Sequence, residues 1–146
     1  MSLDALRKLR AQTVETLMME LAQITRRLVQ NEERYREIDA QIQRDVASHD
    51  RQSSQGLTIE AWLEWQGRMD AQQAELRQVR REIDHAAEAW HQTNARLVEA
   101  NQECKLLDVV AEKRREAECA DRARQEQRTT DEAASRRHSI KRESNV

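Results

Sequence analysis

From Trp62 to Ala111 the chain returns to one face at alternating intervals of three and four residues: Trp62, Trp65, Met69, Gln72, Leu76, Val79, Ile83, Ala86, Trp90, Thr93, Leu97, Ala100, Cys104, Leu107, Ala111. A mean interval of 3.5 residues is the period of a left-handed coiled coil; a strand would repeat every two. An earlier stretch carries a second seam of the same kind, through Val14, Leu17, Leu21, Ile24, Leu28, Asn31, Tyr35, Ile38 and Ile42. Leu3, Leu6 and Leu9 fall out of frame with Val14, so the heptad slips near the N-terminus. With no proline and only 2 glycines in 146 residues, nothing in either seam breaks a helix. The absence of phenylalanine and the predominance of Ala, Glu, Arg, Gln and Leu argue against a compact globular core.

One polar interruption, Ala47 to Gly56, separates the seams. Thr58 is placed as an N-cap, and Leu57 stands where a hydrophobic staple to Trp62 would begin. One reversal between two seams predicts an all-α fold: two long helices in an antiparallel coiled-coil hairpin, the second projecting beyond the first. The expected layout is a single coiled-coil rod over 1–146. Helix one spans about 3–48, a loop about 49–57, helix two about 58–137, and a tail frays to 146. Folding about residue 53 would set residue i opposite roughly 106 − i, placing Leu17 near Ala89 and Trp90, and Tyr35 near Ala71. Some 30 residues of helix two, about 45–50 Å, would then project past helix one. Polar layers at Asn31 and Gln72 set register rather than add stability.

The formal net charge of −2 gives no global field for nucleic acid or anionic lipid. Residues 105–146 carry 11 basic and 9 acidic groups, so the basic excess there is slight and mixed in sign. Acids interleaved among those arginines argue against nucleic-acid binding. Cys104 and Cys119 lie 15 residues apart, about 22 Å along one helix, too far to bridge. They fit a reducing compartment. Met1-Ser2-Leu3-Asp4 opens no apolar signal segment, and no stretch approaches a membrane span, so a cytoplasmic protein without direct membrane insertion is expected.

Catalytic chemistry finds no foothold. Gly56 and Gly67 begin no phosphate-cradling motif, and His49, His85, His91 and His138 are scattered without metal-ligand or acid–base spacing. No enzyme, cofactor, metal or small-molecule substrate is expected. Tyr35, Trp62 and Trp65 gather toward the loop; they read either as bulky seam residues or, since two helices cannot enclose an indole, as partner-binding aromatics. Trp90 reads as core. Lys113, Arg114, Arg115, Arg122 and Arg124 read as a solvated face or a partner contact.

Several local features together resemble the FliJ family, the coiled-coil stalk protein of the flagellar type III export apparatus, with more distant counterparts in virulence secretion. These are Gly56-Leu57-Thr58 leading into Trp62-Leu63-Glu64-Trp65-Gln66, then Ala89-Trp90 followed by Ala95-Arg96-Leu97, then Glu112-Lys113-Arg114, and a late Asp131-Glu132 before Ser135-Arg136. The slipped heptad and the Ala133-Ala134 pair, where the family often has an aromatic, depart from the pattern. The resemblance implies a non-enzymatic stalk inside the export ATPase hexamer that promotes ring assembly. It also implies contacts with the membrane export gate and with export chaperones, and a cytoplasmic location held peripherally at the inner membrane. On that view the end bearing Arg7, Lys8, Lys113, Arg114 and Arg115 faces the ATPase ring. The loop-proximal face of Tyr35, Trp62, Trp65, Arg68 and Gln72 faces the gate. The alternative is a generic coiled-coil adaptor or homodimeric spacer, in which self-association covers the aromatic edges.

Overall fold

Two helices account for nearly all of the described residues, 2–145, of the computed structural model: α1 (Leu3–Ser53) and α2 (Ile59–Ser144). They pair antiparallel, as the all-α coiled-coil hairpin expected from the two seams. No described residue forms a strand.

Each helix end has a local cause. Ser2 caps α1, its Oγ accepting from the Ala5 N–H at 3.2 Å, and Asp4 places a negative charge in the first turn. At the other end the Gln55 and Gly56 amides bond back to the Gln52 and Ser53 carbonyls at 3.1 and 3.2 Å. Gly56 then turns the chain with φ +93°, a conformation a Cβ disfavours. Thr58 starts α2 as expected, its Oγ1 accepting from the Ala61 N–H at 3.1 Å.

Both helices outlast their expected ends. α1 runs to Ser53 rather than about 48, because the polar residues before Gly56 contain no helix breaker and the Ser53 and Ser54 hydroxyls satisfy carbonyls of the last turn. α2 runs to Ser144 rather than about 137. Lys141 and Arg142 in its last turn suit the negative end of the helix dipole, and the Ser144 hydroxyl donates to the Lys141 carbonyl at 3.0 Å. Val146 lies outside the described residues.

The chain divides into two compact units, residues 12–100 and residues 1–11 with 101–146. In residues 12–100, every α1 seam position from Val14 to Ile42 is half-buried and none is fully buried. The buried side chains are all on α2: Met69, Val79, Ala86, Thr93 and Ala100. The last four recur every seven residues, one heptad position turned directly at α1. Val79 is wholly buried, at 0% exposure. Ala86, Thr93 and Ala100 are small, which favours close backbone approach over the following three heptads.

Register differs from expectation. Gln72 meets Asp45, Arg34 reaches both Glu75 and Glu82, and the Trp90 indole N–H donates to Thr25 Oγ1. Residue i therefore faces roughly 115 − i rather than 106 − i. The reversal is centred near Gly56 instead of residue 53, a direct result of the longer α1. Tyr35 comes level with Val79 rather than Ala71, and Leu17 lies beyond Trp90 on α2. The frame slip in α1 is a pair of consecutive four-residue steps, Thr13, Leu17, Leu21, all half-buried.

In residues 1–11 with 101–146, Arg7 binds Asp108 at 2.9 Å and Arg10 binds Glu103 at 3.0 Å, beside half-buried Leu3, Leu6, Cys104, Leu107 and Ala111. From Glu112 to Asn145 every residue is exposed. Over this stretch α2 has no partner helix in its unit; its 33 helical residues would span about 50 Å.

Candidate functional site

The loop-proximal set lies within residues 12–100. Trp62, although in the seam frame, keeps 46% of its surface exposed. With Ile59 and Leu63, also exposed, it follows the i, i+3, i+4 spacing that puts side chains on one helix face. Trp65 is different. His49 of α1 stacks on its ring, centroids 3.7 Å apart and planes within 14°, and its buried Nε1–H has no acceptor among the described residues.

One turn pair further along, the Gln72 amide donates to Asp45 Oδ2 at 2.7 Å while its own Oε1 is buried without a partner among the described residues. Gln41 donates to Asp45 Oδ1 at 2.9 Å. The amide of Gln72, then that of Gln41, and the nearby Arg68 and Arg44 charges hold the Asp45 carboxyl below the usual aspartate range, against a smaller opposing effect of burial. Because this pKa is depressed on folding, the stabilisation is complete above the unfolded value of about 3.9 and is lost as pH falls through the folded value. A carboxyl-carbon NMR titration should therefore place Asp45 below an exposed aspartate, and Gln72→Leu should move it upward. An Asp45 midpoint unchanged by that substitution would contradict the assignment of cause.

Trp62, Trp65, Arg68 and Gln72 thus occupy successive turns of α2, whereas Tyr35, level with Val79, sits about 10 Å beyond Gln72 along the axis. The residues joining the cluster are instead Asp45 and His49. Both continue the alternating spacing of α1 past Ile42, but polarity and the expected helix end near 48 hid them.

The basic set lies within residues 1–11 with 101–146. Arg7 is held by Asp108 and, at 3.9 Å, by Asp4; Arg115 is held by Glu112. Lys8, Lys113 and Arg114 make no ion pair among the described residues. Ser2, Leu3, Asp4, Arg7, Ala111, Arg114, Arg115 and Glu118 line an open groove of about 650 Å³ where α1 begins against α2.

No three His, Cys, Asp or Glu side chains among the described residues are grouped to hold a metal. Cys104 and Cys119 are both free thiols. Among the described residues no helix is long and apolar enough to cross a membrane. Among the described residues, Trp62 is an exposed aromatic in the unit of residues 12–100, and Lys8, Lys113 and Arg114 are cations without an ion pair in the other unit.

The profile of the family described as Flagellar FliJ protein matches residues 1–143. The chain belongs to the FliJ family. No curated protein and no solved structure gives a significant match. FliJ membership carries a general, non-enzymatic stalk and chaperone role in type III protein export, exercised on components of the export apparatus. The resemblance read from Trp62, Trp65, Trp90 and the late Asp131-Glu132 pair thus led to the right family.

Proposed function

We propose that this chain is the central stalk of a flagellar type III export apparatus. It binds the export ATPase hexamer through the unit built from residues 1–11 and 101–146 and promotes ring assembly. Its loop-proximal face contacts the cytoplasmic part of the export gate, and it also engages export chaperones. It works on the cytoplasmic side of the inner membrane, held there by the apparatus rather than by insertion. The observation that carries the reading is the long stretch of α2 after Ala111, exposed on all sides. A lone helix of mixed charge is narrow enough to enter a ring, and a helix polar all round leaves its whole surface open to a protein that receives it.

Within the basic set, ion pairs fall on Arg7 and Arg115. Lys8, Lys113 and Arg114 are available to a partner, whereas Arg7 and Arg115 are engaged within the chain. Arg114→Glu should therefore weaken ATPase assembly, measured as hexamer formed per stalk added, by about tenfold, and more than Arg115→Glu does. Equal, negligible effects of the two reversals would remove the basic set from the ATPase contact.

A further inference from the structure

Two contacts mark the two flanks of the helix pair in residues 12–100. Arg34 bridges to Glu75 and Glu82 on one flank; the Trp90 indole reaches Thr25 on the other. Heptad spacing carries each flank to the loop end. Val46 lies three heptads beyond Thr25, and Trp62 four heptads before Trp90, so both fall on the Thr25 flank. Ile59 and Leu63 extend it, with 79% and 55% of their surfaces exposed. Asp70 stands one heptad beyond Leu63, and Asp50 four residues beyond Val46, both exposed along the same flank.

Charge at the loop end is sorted by flank. Arg68 lies one heptad before Glu75, and Arg44 donates to Gln41, itself one heptad beyond Arg34, so both belong to the Arg34 flank. Arg51, one heptad beyond Arg44, joins them. The Thr25 flank has only acids there. Asp50 and Asp70, with Glu60 beside them, make no ion pair among the described residues. The first cations along it are Arg77 on α2, one heptad past Asp70, and Arg36 on α1, two heptads before Asp50. The nearer of these is about 10 Å along the axis from Asp70.

We infer that Val46, Ile59, Trp62 and Leu63, set among Asp50 and Asp70, form a docking patch for a protein surface whose apolar centre is bordered by lysine or arginine. Exposed apolar residues grouped on one side call for a partner, and unpaired charge of a single sign selects which. Anionic lipid and nucleic acid would meet the same acids and be repelled. A second copy of the chain offers cations at Arg44, Arg51 and Arg68, but its exposed large apolar residues at the loop end lie on the acidic flank instead.

The inference rests on the gate reading above. It moves that contact to the flank away from Arg68 and gives the partner a chemistry. The test is titration calorimetry of the full chain with the purified cytoplasmic part of the export gate. Wild type is compared with Ile59→Ser/Leu63→Ser and with Asp50→Lys/Asp70→Lys. Glu37→Lys and Met19→Ser, exposed changes elsewhere on α1, are the controls, and circular dichroism checks helicity. Each patch variant should weaken binding about tenfold or more at unchanged helicity, while the controls bind like wild type. Wild-type affinity should fall as salt rises, and the lysine variant should lose that dependence. Wild-type binding with both patch variants unaffected overturns the patch and leaves the gate reading standing; no binding by wild type overturns both. Weakening by the serine variant alone would overturn the basic character of the partner. A dimer in sedimentation that the patch variants dissolve while gate binding persists would assign the patch to a second copy and overturn the inference.

Discussion

Val79→Asp is expected to unfold most of the structure in residues 12–100 at neutral pH. Among the described residues Val79 is the one large side chain with no exposed surface, and the cross-helix register sets it level with the turn of α1 that bears Arg34 and Tyr35. A carboxylate there would be buried without a partner, a loss of about 3–5 kcal/mol. A domain of ordinary size is stable by only 5–15 kcal/mol, and here the buried side chains number five. Val79→Ile, which keeps the apolar character, should cost far less. Circular dichroism during urea titration checks both. A Val79→Asp chain that melts like wild type would mean the helices do not pair through this heptad position.

Trp62→Ala is expected to weaken binding to the cytoplasmic part of the export gate by about thirtyfold, with no loss of helicity. The number follows from the roughly 2 kcal/mol that defines an interface hot spot, a class in which tryptophan is enriched. Trp62 suits the role because its indole is already half-exposed and, among the described residues, no ring stacks on it. Trp65 makes a less clean test. His49 covers its ring and its N–H is buried, so Trp65→Ala would disturb the loop end itself. Titration calorimetry with the purified gate domain separates the cases. Full gate affinity in Trp62→Ala would remove the loop end from that contact.

The fold was legible in the sequence because coiled-coil packing writes itself directly into spacing. All the α1 seam residues from Val14 to Ile42 are half-buried, and so are those of α2 from Trp65 to Ala111 where they are not fully buried. Thr58 caps α2 as its position implied. Register was not legible, because it depends on where α1 stops. Asp50, Gln52, Ser53 and Ser54 have loop-like polarity yet contain nothing that breaks a helix, and the true stop is Gly56 with its positive φ. A five-residue extension of α1 moved every cross-helix pairing, taking Tyr35 away from the tryptophans and bringing His49 and Asp45 to them.

The ion pairing of the basic residues was legible only as composition. Charge counting in residues 105–146 shows a near balance of signs. Which cations remain unpaired depends on contacts such as Arg7 with Asp108, residues 101 positions apart.

The central claim is that the chain acts as a stalk for the export ATPase, and one mixing experiment addresses it. The purified chain is added to the export ATPase from the same organism, with hexamer formation followed by sedimentation and ATP turnover measured in parallel. The account predicts that hexamers form at lower ATPase concentration and that turnover per ATPase rises until the stalk saturates the ring. Sedimentation and turnover identical with and without the chain would contradict it.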